Sequence, residues 1–207
     1  MGKTSLANFI SDFISKNYSI VTAHVMNDGV HTIDELVIHI IEMILNSIST
    51  EKWSDKIFNF LENHIEYVVF GGLTVKFRPS ENELSNIKNN FAFYLADMIN
   101  NFKDKDGLFI VIDDINGLSK TPDFANWYKS FTNTLAMSLD KVSLFIMLTS
   151  YPEKFQRLYE HKHSFNRIFH VHELNRLNDS DIKNFYADIF SIYNINVDPV
   201  ALEIMTK

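Results

Sequence analysis

Along this chain, segments whose apolar residues recur at helical spacing alternate with short continuous apolar runs, an order that predicts crossover helices between the strands of a mainly parallel sheet. Lys3 to about Lys16 predicts a helix with Leu6, Phe9, Ile10 and Phe13 on one face, and Ile20 to His24 predicts a strand. Thr32 and Glu35 form a capping box ahead of Ile33, Leu36, Val37, Ile40, Ile41, Ile44, Leu45 and Ile48, which repeat at helical spacing. Trp53 to Ile65 predicts a further short helix. From Val68 to Phe77 two apolar runs flank Gly71-Gly72, a dipeptide free to take the positive φ angles of a tight hairpin turn. This hairpin is expected to be inserted between core elements, with Leu73, Val75 and Phe77 on one side and Thr74, Lys76 and Arg78 on the other. Packing on its own domain is the favoured reading for it, ahead of a partner site.

Ser80 and Glu83 make a second capping box, and the helix they start is expected to carry Leu84, Ile87, Phe91, Leu95, Met98 and Phe102 on one stripe. Leu108 to Ile112 is a continuous apolar run, as in a central parallel strand buried on both faces, and it ends in two aspartates. Thr121-Pro122 places a capping residue before a proline at the first helical position, with Phe124, Trp127, Phe131 and Leu135 following. Val142 to Leu148 predicts the next buried strand and Arg167 to Val171 a shorter one. Asn178 or Asp179 then begins a helix with Ile182, Phe185, Tyr186, Ile189 and Phe190 inward. Between His172 and Asn178 the alternation of strand and helix gives way to helix alone, which predicts a domain boundary there.

Composition narrows the class. A chain of 207 residues with 46% hydrophobic side chains can bury a real core. No stretch approaches the roughly 20 uninterrupted apolar residues of a membrane span, and the basic-then-apolar order of a signal peptide is missing, so a cytoplasmic protein without membrane contact is expected. The absence of cysteine excludes disulfides and thiolate metal sites. A net charge of −7, spread along the chain, makes no basic stripe for nucleic acid, so any DNA contact would need a domain outside this chain.

Two motifs carry chemistry. Gly2-Lys3-Thr4-Ser5, followed at once by an amphipathic helix, matches the end of the phosphate-loop pattern G-x-x-x-x-G-K-[ST], in which backbone N–H groups and a helix N-terminus surround phosphate oxygens. Lys3 would reach the β- and γ-phosphates and Thr4 would hold Mg²⁺. The run Leu108 to Ile112 ending in Asp113-Asp114 has the form of a Walker B strand. Asp113 takes the metal role there, and Asp114 orients or deprotonates the attacking water. A third strand ends in Leu148-Thr149-Ser150, where Thr149 is a candidate sensor of the γ-phosphate.

Taken with Ile115-Asn116-Gly117-Leu118, Tyr151-Pro152-Glu153, Phe165-Asn166-Arg167-Ile168-Phe169 and Leu174-Asn175-Arg176-Leu177, these residues resemble the AAA+ and STAND ATPases, especially prokaryotic members near the initiator-type branch. The resemblance implies an α/β three-layer P-loop NTPase with a mainly parallel sheet, residues 1–174 forming the core and 175–207 the start of a helical lid. It also implies ATP and Mg²⁺ as cofactors, ATP and ADP as ligands, hydrolysis that drives a conformational switch, and a protein partner or self-association. Arg167 resembles the arginine that lies just before the last core strand and meets phosphate.

The chain departs from that pattern in lacking the front of the phosphate loop with its preceding strand, in carrying Asp114 where many members have glutamate, and in stopping at Lys207 before a complete lid. Met1 falls on the variable position just before Gly2, so the start is expected to be an internal methionine of a longer protein or a cloning boundary, and the chain as it stands is expected to bind ATP poorly. The alternatives are a degenerate, non-hydrolysing P-loop scaffold for protein contacts and an initiator-like DNA-associated ATPase. A small-molecule kinase fits less well, because no arginine-bearing phosphate lid or acceptor-site acid is identifiable. The pairs His161, His163 and His170, His172 lack a third ligand at convincing spacing, so metal binding there is a minor reading.

Overall fold

A computed structural model describes residues 2–48, 65–69, 73–102, 104–138, 143–175 and 177–205 of the chain. In chain order the elements of the first unit are α1 (Lys3–Asn17), β1 (Ile20–Met26), α2 (Ile33–Asn46), β2 (Ile65–Val69), β3 (Leu73–Phe77), α3 (Glu81–Asn89), α4 (Phe91–Asn100), β4 (Gly107–Asp113), α5 (Asp123–Ser138), β5 (Ser143–Leu148) and α6 (Pro152–His161). The 3₁₀ turns Ile115–Lys120 and Phe165–Ile168 follow β4 and α6. The protein is thus α/β, and its described residues form a small open sheet of three parallel strands in the order β1-β4-β5. The register pairs Ile20 with Gly107 and Met26 with Asp113 on one side of β4, and Gly107 with Ser143 and Ile112 with Leu148 on the other.

Strand β4 is buried along its whole length, as its unbroken apolar run predicts. Successive side chains point to opposite faces. Leu108, Ile110 and Ile112 enter the large core with Val21, Ala23 and Val25 of β1 and with α2, α4 and α5. Phe109 and Val111 look the other way, where Ala7, Ile10 and Ile14 of α1 cover them. Strand β5 is less enclosed than its sequence predicts: Phe145 is 55% exposed, because β5 lies at the sheet edge and α1 packs elsewhere.

Several local expectations change in the tertiary setting. On α1 the inward stripe runs through Ala7, Ile10 and Ile14, since the small Ala7 lets the helix approach the sheet closely; Phe9 and Phe13 of the predicted face are exposed. The helix predicted from Ser80 onward is two helices. Asn90 takes φ −113° and ψ 23°, and its Nδ2 donates to the carbonyl of Asn86 at 3.0 Å, the competition with helical bonding that asparagine commonly offers. Both capping boxes form as expected, at Thr32 with Glu35 and at Ser80 with Glu83. Helix α5 begins at Asp123, and the carbonyl of Pro122 accepts from Asn126 N at 3.0 Å.

The hairpin is present as β2 paired antiparallel with β3, and Phe77 is buried while Lys76 is exposed. It packs on α2, with Phe77 N donating to Glu42 Oε1 at 3.1 Å. Its Gly71-Gly72 turn and the helix expected over Trp53 to Ile65 lie outside the described residues, apart from Ile65, which opens β2.

The strand expected over Arg167 to Val171 is not formed. Phe165 is fully buried within a ring cluster with Phe124, Tyr128, Phe155 and Phe169, and that anchoring bends the segment into a 3₁₀ turn followed by irregular chain. The cluster extends to Phe91, Trp127 and Phe131, the last two stacked at 5.5 Å with 6° between their planes. Burial pushes the Tyr128 hydroxyl well above its usual range.

The second unit, Val171–Lys207, contains α7 (Asp179–Ile192) and α8 (Pro199–Met205). Asn178 caps α7 by accepting from Asp181 N at 2.9 Å. None of the residues in these helices is buried, including Phe185, which was expected inward. Among the described residues no helix is long and apolar enough to cross a membrane.

Candidate functional site

Strands β1, β4 and β5 end side by side, and Asp113 at the end of β4 joins the polar residues of the turns beyond the three strands in one hydrogen-bonded group. Asp113 closes β4 and is 2% exposed. Its Oδ1 accepts a short hydrogen bond from the hydroxyl of Thr149, the first residue after β5, which is itself buried. The Thr149 oxygen in turn accepts from Asp114 N at 2.8 Å. Thr149 also extends the ladder, donating its N–H to Ile112 O at 3.1 Å and accepting from Ile115 N at 3.0 Å. One threonine therefore laces the two strand ends together.

Asp114 adopts φ 65° and ψ 72°, a left-handed conformation uncommon for any residue but glycine, asparagine and aspartate. Besides the bond from its N–H to Thr149, two contacts hold it there. Its Oδ1 accepts from Asn116 N at 3.1 Å, and its carbonyl accepts from Asn27 Nδ2, also at 3.1 Å. Asn27, which follows β1 and is 2% exposed, also donates its backbone N–H to Asp113 O at 2.9 Å. Asn116 reaches across to the third loop, where its Oδ1 accepts from Ser150 Oγ at 3.3 Å and Tyr151 N at 3.2 Å. Gly117 is required beside it: a Cβ there would stand 2.3 Å from the carbonyl of Val30.

The electrostatics of the group are incomplete. His24 Nε2 lies 3.8 Å from Asp113 Oδ2, beyond hydrogen-bond reach. Both His24 Nε2 and Asn27 Oδ1 are buried and lack a hydrogen-bond partner among the described residues. A buried carboxylate with one hydroxyl donor retains capacity for a positive charge or further donors. Among the described residues no group of three or more His, Cys, Asp or Glu could by itself hold a metal ion. A single carboxylate suits Mg²⁺, which prefers one or two protein carboxylates completed by water and phosphate oxygens to an all-protein cage.

The phosphate-loop remnant lies at the start of α1. Gly2 has φ 99° and precedes the first helical turn, and Gly2, Thr4 and Ser5 are exposed. Lys3 Nζ sits 4.2 Å from the centroid of the Tyr151 ring, so the lysine meets the loop that begins with Thr149. Arg167 is exposed in the 3₁₀ turn Phe165–Ile168, and no hydrogen bond or ion pair among the described residues joins it to Asp113, Asp114 or Thr149. His161, His163, His170 and His172 are exposed; His170 and His172 lie in irregular chain, not on the shared strand face that their spacing predicts.

Sequence reasoning assigned no role in the site to His24, Asn116 or Tyr151 and passed over Asn27. The available signal was the place of Asn27, Asn116 and Tyr151 in the turns after strands, Met26-Asn27-Asp28-Gly29 above all, while His24 lies inside β1, and that signal does not reveal which strand ends become neighbours.

No protein-family model matches the chain, and no curated protein matches it significantly.

Proposed function

We propose that this chain is the nucleotide-binding part of a P-loop ATPase of the AAA+/STAND kind, acting in the cytoplasm through a Mg-ATP-dependent conformational switch. In this reading residues 1–174 are the three-layer core, the β2–β3 hairpin is an insertion, and α7 and α8 begin a helical lid. The observation that carries it is the joining of Asp113 to Thr149 at the carboxyl ends of adjacent parallel strands, because open α/β sheets bind ligands outside those ends. The Lys3 contact with Tyr151 adds a cation beside the same loops.

Asp113 and Thr4 would hold Mg²⁺, and Lys3 with the backbone of Gly2 to Ser5 would hold the phosphates. The ion, when bound, draws charge from the β- and γ-phosphate oxygens. Thr149 donates a hydrogen bond to the Asp113 carboxylate and would orient it; in this reading it would also sense the terminal phosphate. Asp114 would polarise the attacking water. ATP and ADP are the ligands, and a protein partner or self-association would receive the switch; DNA enters only through a domain outside this chain.

A second reading has its own observation. Asp114 already caps the turn after β4 through Asn116 N, a structural task that a non-hydrolysing scaffold would keep. Asp114→Asn separates the two, since asparagine tolerates the left-handed backbone and its oxygen can still cap the turn while no longer serving as a base. In the full-length protein this variant is expected to bind ATP and hydrolyse it slowly, whereas Asp113→Asn weakens Mg-dependent binding. Hydrolysis equal to wild type in steady-state assays of Asp114→Asn would leave the second aspartate a structural residue.

A further inference from the structure

Lys3 is the cation expected to bind phosphate, yet its ammonium rests on an aromatic ring. The Nζ atom stands 4.2 Å from the Tyr151 centroid, within the range of a cation–π interaction. Tyr151 is half exposed, so the ring is not a core residue that the lysine happens to touch. Its backbone is fixed on both sides: its N–H donates to Asn116 Oδ1 at 3.2 Å, and its carbonyl accepts from Phe155 N at 3.0 Å in the first turn of α6. Asn116 N in turn donates to Asp114 Oδ1. The ring is therefore a half-exposed group on a residue whose backbone is anchored, joined through Asn116 to the turn that shapes Asp114.

We propose that the Tyr151 ring is the resting seat of the Lys3 ammonium, and that the terminal phosphates of a nucleoside triphosphate displace the ring from the lysine when they bind. The inference rests on the ATP-binding reading above and adds to it a residue that tunes affinity. An ammonium cannot lie against a ring face and keep its best geometry on phosphate oxygens at once, so the two contacts compete. An exposed cation–π contact is weak beside a Lys–phosphate contact in a partly desolvated loop, which makes the seat a modest brake on binding. Removing the ring should tighten phosphate binding about two- to fivefold, the size of one exposed cation–π contact. Release also frees the Tyr151 side chain beside the Asn116 turn and α6, so triphosphate occupancy is felt at the loops after β4 and β5.

The test follows the Lys3 Hε protons by NMR in the isotopically labelled full-length protein, the same version in which the Asp113 and Asp114 variants are assayed, assigned through Lys3→Arg. In the free protein the ring current of Tyr151 should displace them upfield; Tyr151→Leu should abolish the displacement and Tyr151→Phe should keep it. Addition of Mg-ATP to millimolar concentration should return the signal to the ordinary lysine position in step with shifts in the amides of Gly2 to Ser5, and Tyr151→Leu should give the tighter ATP isotherm. An undisplaced Lys3 signal in the free protein overturns the seat. So does a signal still upfield once the Gly2 to Ser5 amides have saturated, with ATP binding itself upheld. If those amides and Asp113 stay unmoved by ATP while Lys3 remains upfield, the ATP-binding reading fails and the exchange fails with it.

Discussion

On one face of the sheet, Leu108, Ile110 and Ile112 of β4 meet two layers' worth of side chains: β1 and β5 beside them, and Leu36, Ile40, Ile44, Leu95, Phe124 and Phe131 from the helices above. On the other face, Phe109 and Val111 meet a single helix through Ala7, Ile10 and Ile14, while Phe145, Met26 and the outer rings of α1 are exposed. The polar group belongs to this second face. Asp113 follows Phe109 and Val111 in the two-residue alternation, and His24 pairs in register with Val111. The first face supplies most of the packing around β4; the second carries the buried polar residues at the strand ends, with Lys3 of α1 against Tyr151 in the loop after β5. Stability and candidate chemistry are thus divided between the two sides of one strand.

The comparison is broken most severely from the packed side. Ile110 is fully buried, and Ile110→Ala should cost about 2–5 kcal/mol through lost burial and the cavity left behind, read as a lower midpoint in urea unfolding. A result below 1 kcal/mol would mean that this face is less tightly packed than its contacts indicate.

Next in size is the joint between the strand ends. Thr149→Val keeps the shape of the side chain but removes the donor to Asp113 and the acceptor for Asp114 N, and is expected to destabilise by about 1–3 kcal/mol. The same variant should perturb the amide NMR signals of Asp114 to Asn116, whereas Ile110→Ala should spare them at temperatures where it remains folded. If both variants disturb that turn alike, packing and site are not separable in the way the two faces suggest.

Smaller still is the thin face. Phe9 is 67% exposed, so Phe9→Ser should change stability by no more than about 0.5 kcal/mol. A loss of 2 kcal/mol or more would show that Phe9 is covered in solution and that the second face is thicker than α1 alone makes it.

The smallest effect is a pH dependence at the start of α2. Backbone N–H donation, first from His31 and then from Thr32, lowers the Glu35 pKa below the ordinary glutamate value. Because the folded-state value is the lower one, the stabilisation is complete above the unfolded pKa and is lost as pH falls through the folded one, the window beginning near pH 4 and extending downward. Glu35 is largely solvent-exposed, so solvent screening keeps the term small. Glu35→Gln should flatten that part of the stability profile without moving its neutral-pH level by more than a few tenths of a kcal/mol; an unchanged acid limb would assign the dependence to other carboxylates.

What the sequence determined by itself is local. The buried run of β4, its two terminal aspartates, both capping boxes, the hairpin strands and the α/β alternation all follow from side-chain period and cap chemistry, which act over a few residues. The tertiary structure alone decided which stripe of α1 turns inward, that Phe165 is buried and the chain after it forms a 3₁₀ turn and irregular segment where a strand was expected over Arg167 to Val171, and that β5 is an edge strand with Phe145 exposed. It also decided the membership of the polar group. Asn27 and Asp114 stand 87 residues apart, and Asn116 and Tyr151 stand 35 apart. Neither pair leaves a local pattern, because contacts between strand ends depend on strand order and register, and those are settled by how the whole sheet buries its two faces.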